Sequence, residues 1–303
     1  MAEQDTDEAL LAAMAETAAD VERTLDRLLP LPDGPEARLT EAMRYSVLGG
    51  GKRMRAFLVL QGARLFGVPP AQSARVAASV EMLHAYSLVH DDLPCMDDDD
   101  VRRGMPTVHR VYGVAVATTA GLAMVPLAAR CAAESARGLG LDEASVGAIV
   151  VELMQASGAG GMIGGQLLDL EGEGRPLALA ELERIHRAKT GALITAAATL
   201  GGRAAGVTGA RLDALRRYGE AVGLAFQIAD DVLDVTATTD QLGKTAGRDL
   251  ALRKSTYPAL LGVEGAKARA DALIREGCQA LDAAGLLTPP LARIARFTVE
   301  RTS

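Results

Sequence analysis

The chain has 303 residues, a formal net charge of −7, a hydrophobic content of 49% and an aromatic content of only 3%. The acidic balance argues against nucleic-acid binding, while the apolar mass is enough for a sizeable core. Because that mass is mostly Ala, Leu, Val and Met, with few β-branched runs, the composition predicts an all-α fold.

Helical patterns follow one another along the chain. Glycines or prolines separate neighbouring patterns, as at Gly49–Gly51 and Pro94. No convincing linker divides the chain, so we predict one domain over residues 1–303, built as a single large helical bundle. The predicted helices cover 7–29, 36–48, 52–66, 70–93, an apolar stretch after Pro106, 142–169, 179–203, 209–238, 255–284 and 289–300.

Three features bear on the cellular compartment. Cys95, Cys131 and Cys278 lie far apart without a CxxC pair, which is typical of reduced thiols. The N-terminus, MAEQDTDEALLAAMAE, lacks the basic start and apolar block of a signal peptide. Residues Val111 to Ala129 are uncharged and long enough to span a bilayer, but they are rich in Ala, Gly and Thr and contain Pro126. We therefore expect a cytoplasmic protein in which this segment is a buried helix, with no stable membrane insertion.

The first candidate functional motif is LVHDDLPCMDDDDVRRG, residues 88–104. Asp91, Asp92 and Asp97–Asp100 place six carboxylates within ten residues. Like charges this close repel one another unless a cation offsets them. An acidic run on its own is often only a solvated loop, but here Arg102 and Arg103 follow at once. The pattern favours a site that binds both a cation and an anion.

The second motif is FQIADDVLD, residues 226–234. Asp230 and Asp234 are one helical turn apart, and Gln227 and Asp231 fall on the same stripe. Carboxylates inside an apolar helix are costly unless something compensates them. The alternative is an exposed polar stripe on an amphipathic helix.

Two separate carboxylate clusters predict Mg²⁺ between them. Mg²⁺ takes only one or two carboxylates per ion and fills its other positions with water and substrate phosphates. Carboxylate ligands alone argue against zinc, copper or iron. Basic residues beside the glycine loop and the acidic motifs suit a phosphate, although each one alone could be a solvated surface charge. These residues are Lys52, Arg53, Arg55, Arg102, Arg103, Lys189, Lys244 and Lys254.

Taken together, these motifs resemble the trans-polyprenyl diphosphate synthases, in particular the short-chain bacterial farnesyl/geranylgeranyl type. The resemblance implies a bundle of the isoprenoid synthase type around a central cavity, usually a homodimer, that condenses isopentenyl diphosphate head-to-tail with an allylic diphosphate. The segments that carry it are GGGKRMR (49–55), EMLHAYSLVHDDLPCMDDDDVRRGMPTVH (81–109), GGQLLDL (164–170), KTGALI (189–194), FQIADDVLD (226–234), GKTAGRD (243–249) and KSTYPALLG (254–262).

The resemblance also implies a role for individual positions. Lys189 would act by holding the allylic diphosphate. Thr190 and Gln227 would lie beside that diphosphate and present oxygen atoms to the developing carbocation. The implied Mg²⁺ ligands are Asp91, Asp97 and Asp230, supported by Asp92, Asp231 and Asp234. The other implied ligands of the allylic diphosphate are Arg102, Lys244 and Lys254, and those of isopentenyl diphosphate are Lys52, Arg55, His84 and Arg103.

Product length is expected to depend on Tyr86 and Ser87, which precede Asp91 by five and four residues. On a helix they lie roughly 6–8 Å below that carboxylate. A bulky Tyr there would block a long product, and Tyr-Ser at these positions resembles farnesyl (C15) synthases. We expect a C15 product, with a geranylgeranyl synthase as the alternative; Tyr86 could also simply pack against another helix.

One position departs from the family pattern. The segment AGLAM has Leu122 where the family usually reads Asp in GDAL, which leaves room for a changed rate, substrate or product. Asp98, where many relatives have Asn, is expected to matter little. A non-catalytic regulatory subunit usually loses one Asp motif, and a terpene cyclase replaces the second one with an Asn/Ser/Glu motif. Both Asp motifs are present here, which favours an active synthase.

Overall fold

The computed structural model describes residues 2–236 and 254–300, with side chains from residue 7 onward. The all-α prediction is confirmed: the described chain is almost entirely helical, with one two-stranded ribbon. The elements are α1 (Ala2–Leu28), α2 (Ala37–Val47), α3 (Met54–Arg64), α4 (Pro70–Asp91), β1 (Val101–Arg102), β2 (Met105–Pro106), α5 (Val108–Tyr112), α6 (Val114–Gly138), α7 (Glu143–Ser157), α8 (Met162–Gly172), α9 (Leu179–His186), a π-helical turn (Arg187–Gly191), α10 (Ala192–Ala204), α11 (Gly209–Thr236), α12 (Tyr257–Ala283) and α13 (Pro289–Glu300).

Three local predictions need correction. The helix predicted over 142–169 is broken into α7 and α8 by the GAGG segment between Ser157 and Met162. The helix predicted over 179–203 contains the π-helical turn. The acidic segment after Pro94, for which the sequence predicted no regular element, includes the antiparallel ribbon, in which Val101 pairs with Pro106 and Arg102 with Met105. Short elements of this kind carry too little periodicity to be read from the sequence.

Helix α4 lies at the centre of the bundle. It packs against α6 and α3, while α10 packs against α3 and α11, and α11 packs along α12. Most of α4 is buried, including every residue from Val76 to Leu83. A helix buried around most of its surface is expected to be largely apolar, and within this stretch of α4 only Ser79 and Glu81 are polar. Its last turn therefore carries the first Asp motif out of the core.

The prediction of one buried helix over Val111–Ala129 needs correction: Gly113 separates α5 from α6, and α6 is buried on one face only. Ala117, Ala120 and Met124 pack inward, whereas Val114 and Leu122 are exposed. By length and composition alone, α6 and the Glu143–Gly172 segment could each cross a membrane. This is weak evidence, because core helices of soluble proteins pass the same test.

Candidate active site

The first Asp motif is folded back on the end of α4. The Asp97 N–H donates to the Asp91 carbonyl (2.8 Å), and the Asp98 N–H donates to the Leu93 carbonyl (3.1 Å). Asp98 has φ = 51°, in the left-handed region that Asp and Asn both tolerate. Arg102 Nε donates to both carboxylate oxygens of Asp92 (2.8 and 3.0 Å). This ion pair fixes the arginine next to the carboxylates.

The second motif lies on α11, and its carboxylates are not an exposed stripe. Asp231 and Asp234 are buried, while Gln227 and Asp230 are partly buried and line a cavity. Asp231 accepts a hydrogen bond from the backbone N–H of Tyr257 (2.9 Å), which ties α11 to the start of α12. Asp230 therefore faces the cavity while Asp231 supports the helix behind it.

This first cavity has a volume of about 600 Å³ and lies between α4, α8, the π-helical turn and α11. Asp91, Arg102, Lys189 and Asp230 form a charged region of its wall. The rest is largely apolar, so the cavity suits a molecule with an anionic head and a hydrocarbon tail. Further lining residues are Tyr86, Ser87, Leu88, His90, Met96, Met162, Ile163, Gln166, Leu167, Leu170, Thr190 and Gln227.

A second cavity of about 660 Å³ adjoins the first. The two cavities share Arg55, His84, Arg103 and Phe226 as wall residues. The glycine loop and Lys52 line the second cavity only. Of the side chains predicted to bind the two diphosphates, Arg102 and Lys189 line the first cavity, Lys52 lines the second, and Arg55, His84 and Arg103 line both.

The carboxylates where α4 meets α11 repel one another, so a bound cation would stabilise them. Burial, together with the nearby Asp97 and Asp92, raises the pKa of Asp91 to about 6, against the opposing effect of Lys189 and Arg102. Within residues 2–236 and 254–300, no three His, Cys, Asp or Glu side chains form a ready-made metal cage. That arrangement still fits Mg²⁺, which needs only one or two carboxylates per ion.

Asp169 on α8 joins two of the predicted phosphate ligands, and the sequence reasoning gave it no role. Its Oδ2 accepts from Lys189 Nζ (2.7 Å) and from Lys254 Nζ (2.9 Å). Burial alone would raise its pKa, but the two ammonium groups lower the pKa to about 2. The available signal was the Asp inside the apolar segment GGQLLDL. Lys254 also contacts Glu173 (3.2 Å) and does not line either cavity.

The π-helical turn presents Lys189 and Thr190 to the first cavity. Turns of this type often mark functional sites, because the extra residue redirects the side chains of the helix. Helix α8 packs closely on it: a Cβ at Gly165 would overlap the Lys189 backbone nitrogen. Gln166, the next residue, lines the same cavity, and its buried side-chain amide has no hydrogen-bond partner within the described chain.

The other predicted positions are distributed as follows. Tyr86 is nearly buried and contacts the His90 ring edge-on, with ring centroids 4.7 Å apart. Ser87 donates to the His84 carbonyl (2.9 Å). Burial, with the nearby Arg55 and Arg103, holds the pKa of His84 well below its usual value, so His84 is neutral. Lys244 lies outside the described residues.

Comparison with known proteins decides the family. A family model described as polyprenyl synthetase matches residues 36–283. The chain belongs to the polyprenyl synthetase family. The synthase fold predicted from the resemblance is thereby confirmed.

Curated relatives of this polyprenyl synthetase have two kinds of name. Farnesyl diphosphate synthase of Escherichia coli is 47% identical over 277 residues, covering 90% of this chain and 91% of that protein. A chloroplastic geranylgeranyl pyrophosphate synthase of Arabidopsis thaliana is 44% identical over 271 residues, covering 88% of this chain and 74% of the relative.

Solved structures give the same division. An FPP/GFPP synthase of Zymomonas mobilis superposes with a TM-score of 0.83 at 36% identity, covering 96% of this chain and 99% of the other. A geranylgeranyl pyrophosphate synthetase of Pyrococcus horikoshii superposes with a TM-score of 0.86 at 31% identity, covering 97% and 99%. These comparisons support a prenyltransferase of isoprenoid synthesis and leave its product length open.

Proposed function

We propose that this polyprenyl synthetase is an Mg²⁺-dependent enzyme that condenses isopentenyl diphosphate head-to-tail with dimethylallyl or geranyl diphosphate to give farnesyl diphosphate. The observation that carries this proposal is the pair of adjoining cavities. One combines carboxylates and a lysine with apolar side chains, and the other brings Lys52, Arg55 and Arg103 together beside the glycine loop. Two anionic substrates held side by side in this way can react almost as one molecule.

In the proposed reaction, the allylic C–O bond breaks and the diphosphate departs with the bonding electrons. Arg102, Lys189 and Lys254 stabilise the charge that develops on it, and Lys244 is proposed to join them. The Thr190 hydroxyl and the Gln227 carbonyl oxygen face the allylic cation. The double bond of isopentenyl diphosphate then attacks the cation, and the product loses a proton to the departed diphosphate.

Asp91, Asp97 and Asp230 are the proposed holders of Mg²⁺. When bound, Mg²⁺ offsets the charge of the leaving diphosphate. Asp91 and Asp230 line the same cavity, and the backbone N–H of Asp97 donates to the Asp91 carbonyl, which supports the proposal. The raised pKa of Asp91 supports the need for a cation at this position.

Lys52, Arg55, His84 and Arg103 are the proposed ligands of isopentenyl diphosphate. Their side chains line the second cavity together. Because burial and the nearby arginines lower the pKa of His84, it acts as a neutral hydrogen-bonding group, while the three cations balance the diphosphate charge.

The C15 product is proposed from the wall of the first cavity. Tyr86 and Ser87 line it below Asp91, and the Tyr86 ring is held against His90. A geranylgeranyl product is the alternative, favoured by the relatives that carry that name.

Incubation of the purified protein with isopentenyl diphosphate and with C5, C10 or C15 allylic diphosphates tests the function. We expect a C15 product from the C5 and C10 starters with Mg²⁺ and no product with EDTA, identified by mass spectrometry. A C20 or longer product would support a synthase but contradict the proposal that Tyr86 limits the length of the product. No product from any starter would favour a non-catalytic regulatory subunit.

We also propose a cytoplasmic homodimer. Helices α6 and α7 expose Val114, Leu122 and Val151, apolar side chains that a second copy of the chain would cover. Sedimentation velocity should give twice the chain mass without detergent. A monomer would reject the dimer, and a need for detergent would favour membrane association.

A further inference from the structure

One carboxylate lies within the otherwise basic wall of the second cavity. Glu81 is on α4, one turn before His84. A negative charge in an anion-binding cavity weakens binding by repulsion, so its presence requires another reason. The other charged side chains that line this cavity are Lys52, Arg53, Arg55 and Arg103.

Glu81 is paired with Arg53 in the protein interior. Arg53 Nη1 lies 3.2 Å from Glu81 Oε2, and each side chain is only 3% exposed. Arg53 also donates to the carbonyl of Val47, the last residue of α2. A buried ion pair is a poor source of net stability, because both ions lose their hydration. The Arg53–Val47 bond does, however, join the two ends of the glycine loop, and the ion pair holds that arginine against α4.

The same carboxylate caps α3 from outside that helix. Arg53 precedes α3 with φ = 48°, a left-handed conformation that is unfavourable for a non-glycine residue, and its own side chain makes no capping bond. Glu81 Oε1 instead accepts the N–H of Ala56 (3.0 Å), one of the orphan donors of the first turn. Glu81 thus stabilises both the loop conformation and the start of α3.

The residues on either side of Arg53 face the second cavity. Lys52 precedes it and Arg55 follows it in the first turn of α3, and both line the wall. We propose that Glu81 is a positioning residue that holds the Arg53 turn, and through it Lys52 and Arg55, in the geometry that binds isopentenyl diphosphate. This inference rests on the proposed function of that cavity.

The proposal and simple electrostatics predict opposite signs for Glu81→Gln. If Glu81 is only a nearby charge, its removal lowers the KM for isopentenyl diphosphate. If it positions the turn, its removal raises that KM by about tenfold or more, the usual effect of losing a hydrogen bond to a charged group. The KM for the allylic diphosphate should change less than about twofold, because its proposed ligands lie outside this turn.

The experiment begins with the turnover of the wild-type protein. No turnover there would reject the proposed function, whereas normal turnover with an unchanged or lower KM for isopentenyl diphosphate in Glu81→Gln would overturn the positioning role. Arg53→Met removes the other member of the same ion pair and must show the same selective rise in the KM for isopentenyl diphosphate. If Glu81→Gln fails to fold, Arg53→Met and the conservative Glu81→Asp decide, with Glu81→Asp expected to retain part of the binding.

A matched control is Glu152→Gln. Glu152 on α7 is also a largely buried carboxylate, paired with Arg203 and Arg216, and it lines neither substrate cavity. Its substitution should lower the melting temperature without a selective rise in the KM for isopentenyl diphosphate. The double variant Glu81→Gln/Arg53→Met should raise that KM by less than the product of the two single effects, because both changes remove the same ion pair. Additive effects would contradict the proposal.

Discussion

At the residue scale, single carboxylates determine where the cationic side chains lie. Asp169 accepts both Lys189 and Lys254 on one oxygen atom, so it brings together two ammonium groups that would otherwise repel each other. The two lysines come from segments far apart in sequence. The proposed diphosphate site therefore depends on a residue that need not touch the diphosphate.

Asp169→Asn should lower kcat/KM for the allylic diphosphate by about 10- to 100-fold, the loss expected when charged hydrogen bonds are removed. Steady-state kinetics with the allylic concentration varied at saturating isopentenyl diphosphate measures this. Glu173→Gln is the control: of the two lysines, Glu173 pairs with Lys254 (3.2 Å) and with no further cation among the described residues, so its change should have a smaller effect. Equal losses in both variants would show that Asp169 has no special role.

Leu122 illustrates a residue whose importance depends on its position in the fold. Its side chain is 59% exposed on α6 and lines neither substrate cavity. Because Leu122 lines neither cavity, Leu122→Asp should leave both KM values within about twofold, but its charge should weaken the proposed dimer, which would share this surface. Kinetics together with sedimentation velocity checks this. A tenfold gain in activity would mean that the usual Asp acts in the reaction.

At the element scale, the contact between α4 and α6 shapes the floor of the first cavity. His90 Nε2 lies 3.1 Å from the Thr118 carbonyl oxygen of α6, and the His90 ring supports Tyr86 on α4. Gly121 makes room for this ring, since a Cβ there would overlap His90 Nε2. Two helices, rather than one side chain, thus define the depth of the cavity.

Tyr86→Ala removes the ring from this floor. We expect products of C20 or longer to outweigh C15, because the growing chain then meets no aromatic barrier. Mass spectrometry of the products from C10 starter measures the change. Tyr86→Phe keeps the ring and should retain the wild-type distribution; an unchanged distribution in Tyr86→Ala would assign Tyr86 to helix packing alone.

Gly121→Ala should change product length in the opposite direction. The new methyl group pushes His90 away from α6 towards the cavity, so the C10 fraction should rise at the expense of longer products. The control is Gly147→Ala on α7, where an added Cβ meets no atom within 4 Å. Equal product distributions in both variants would exclude the α4–α6 contact from length control.

At the scale of the whole molecule, buried charges make stability depend on pH. The folded pKa of Asp169, about 2, is below its usual 3.8. A depressed carboxylate pKa adds stability above the unfolded value, and that stability is lost as the pH falls through the folded value. The shift corresponds to about 2 kcal/mol at neutral pH.

Urea unfolding of the wild type and of Asp169→Asn at several pH values checks this dependence. The free-energy difference between them should be largest above about pH 5 and shrink as the pH falls below about 4. Asp282→Asn, a change at a surface carboxylate on α12, is the control and should show a smaller pH dependence. A difference that grows on acidification would contradict the sign of the Asp169 shift.

The sequence by itself was enough to determine the all-α class and the family. Ala- and Leu-rich 3.6-residue periodicity is local information, and the Asp motifs are contiguous in the chain. The periodicity and the motifs can therefore both be recognised without coordinates. The helix breaks and the ribbon were missed, because a few residues of irregular backbone leave no periodic signal.

Only the tertiary structure decided which side chains share a cavity and which support them. Arg53 looked like its neighbours Lys52 and Arg55, yet it is buried against Glu81, a residue that the sequence reasoning did not single out. Asp169 likewise meets Lys254 across 85 residues. Such pairs form when distant helices pack, and the cost of burying a charge is what requires them. The cost of burying a charge depends on how the helices pack around it, and a short sequence motif does not reveal that packing.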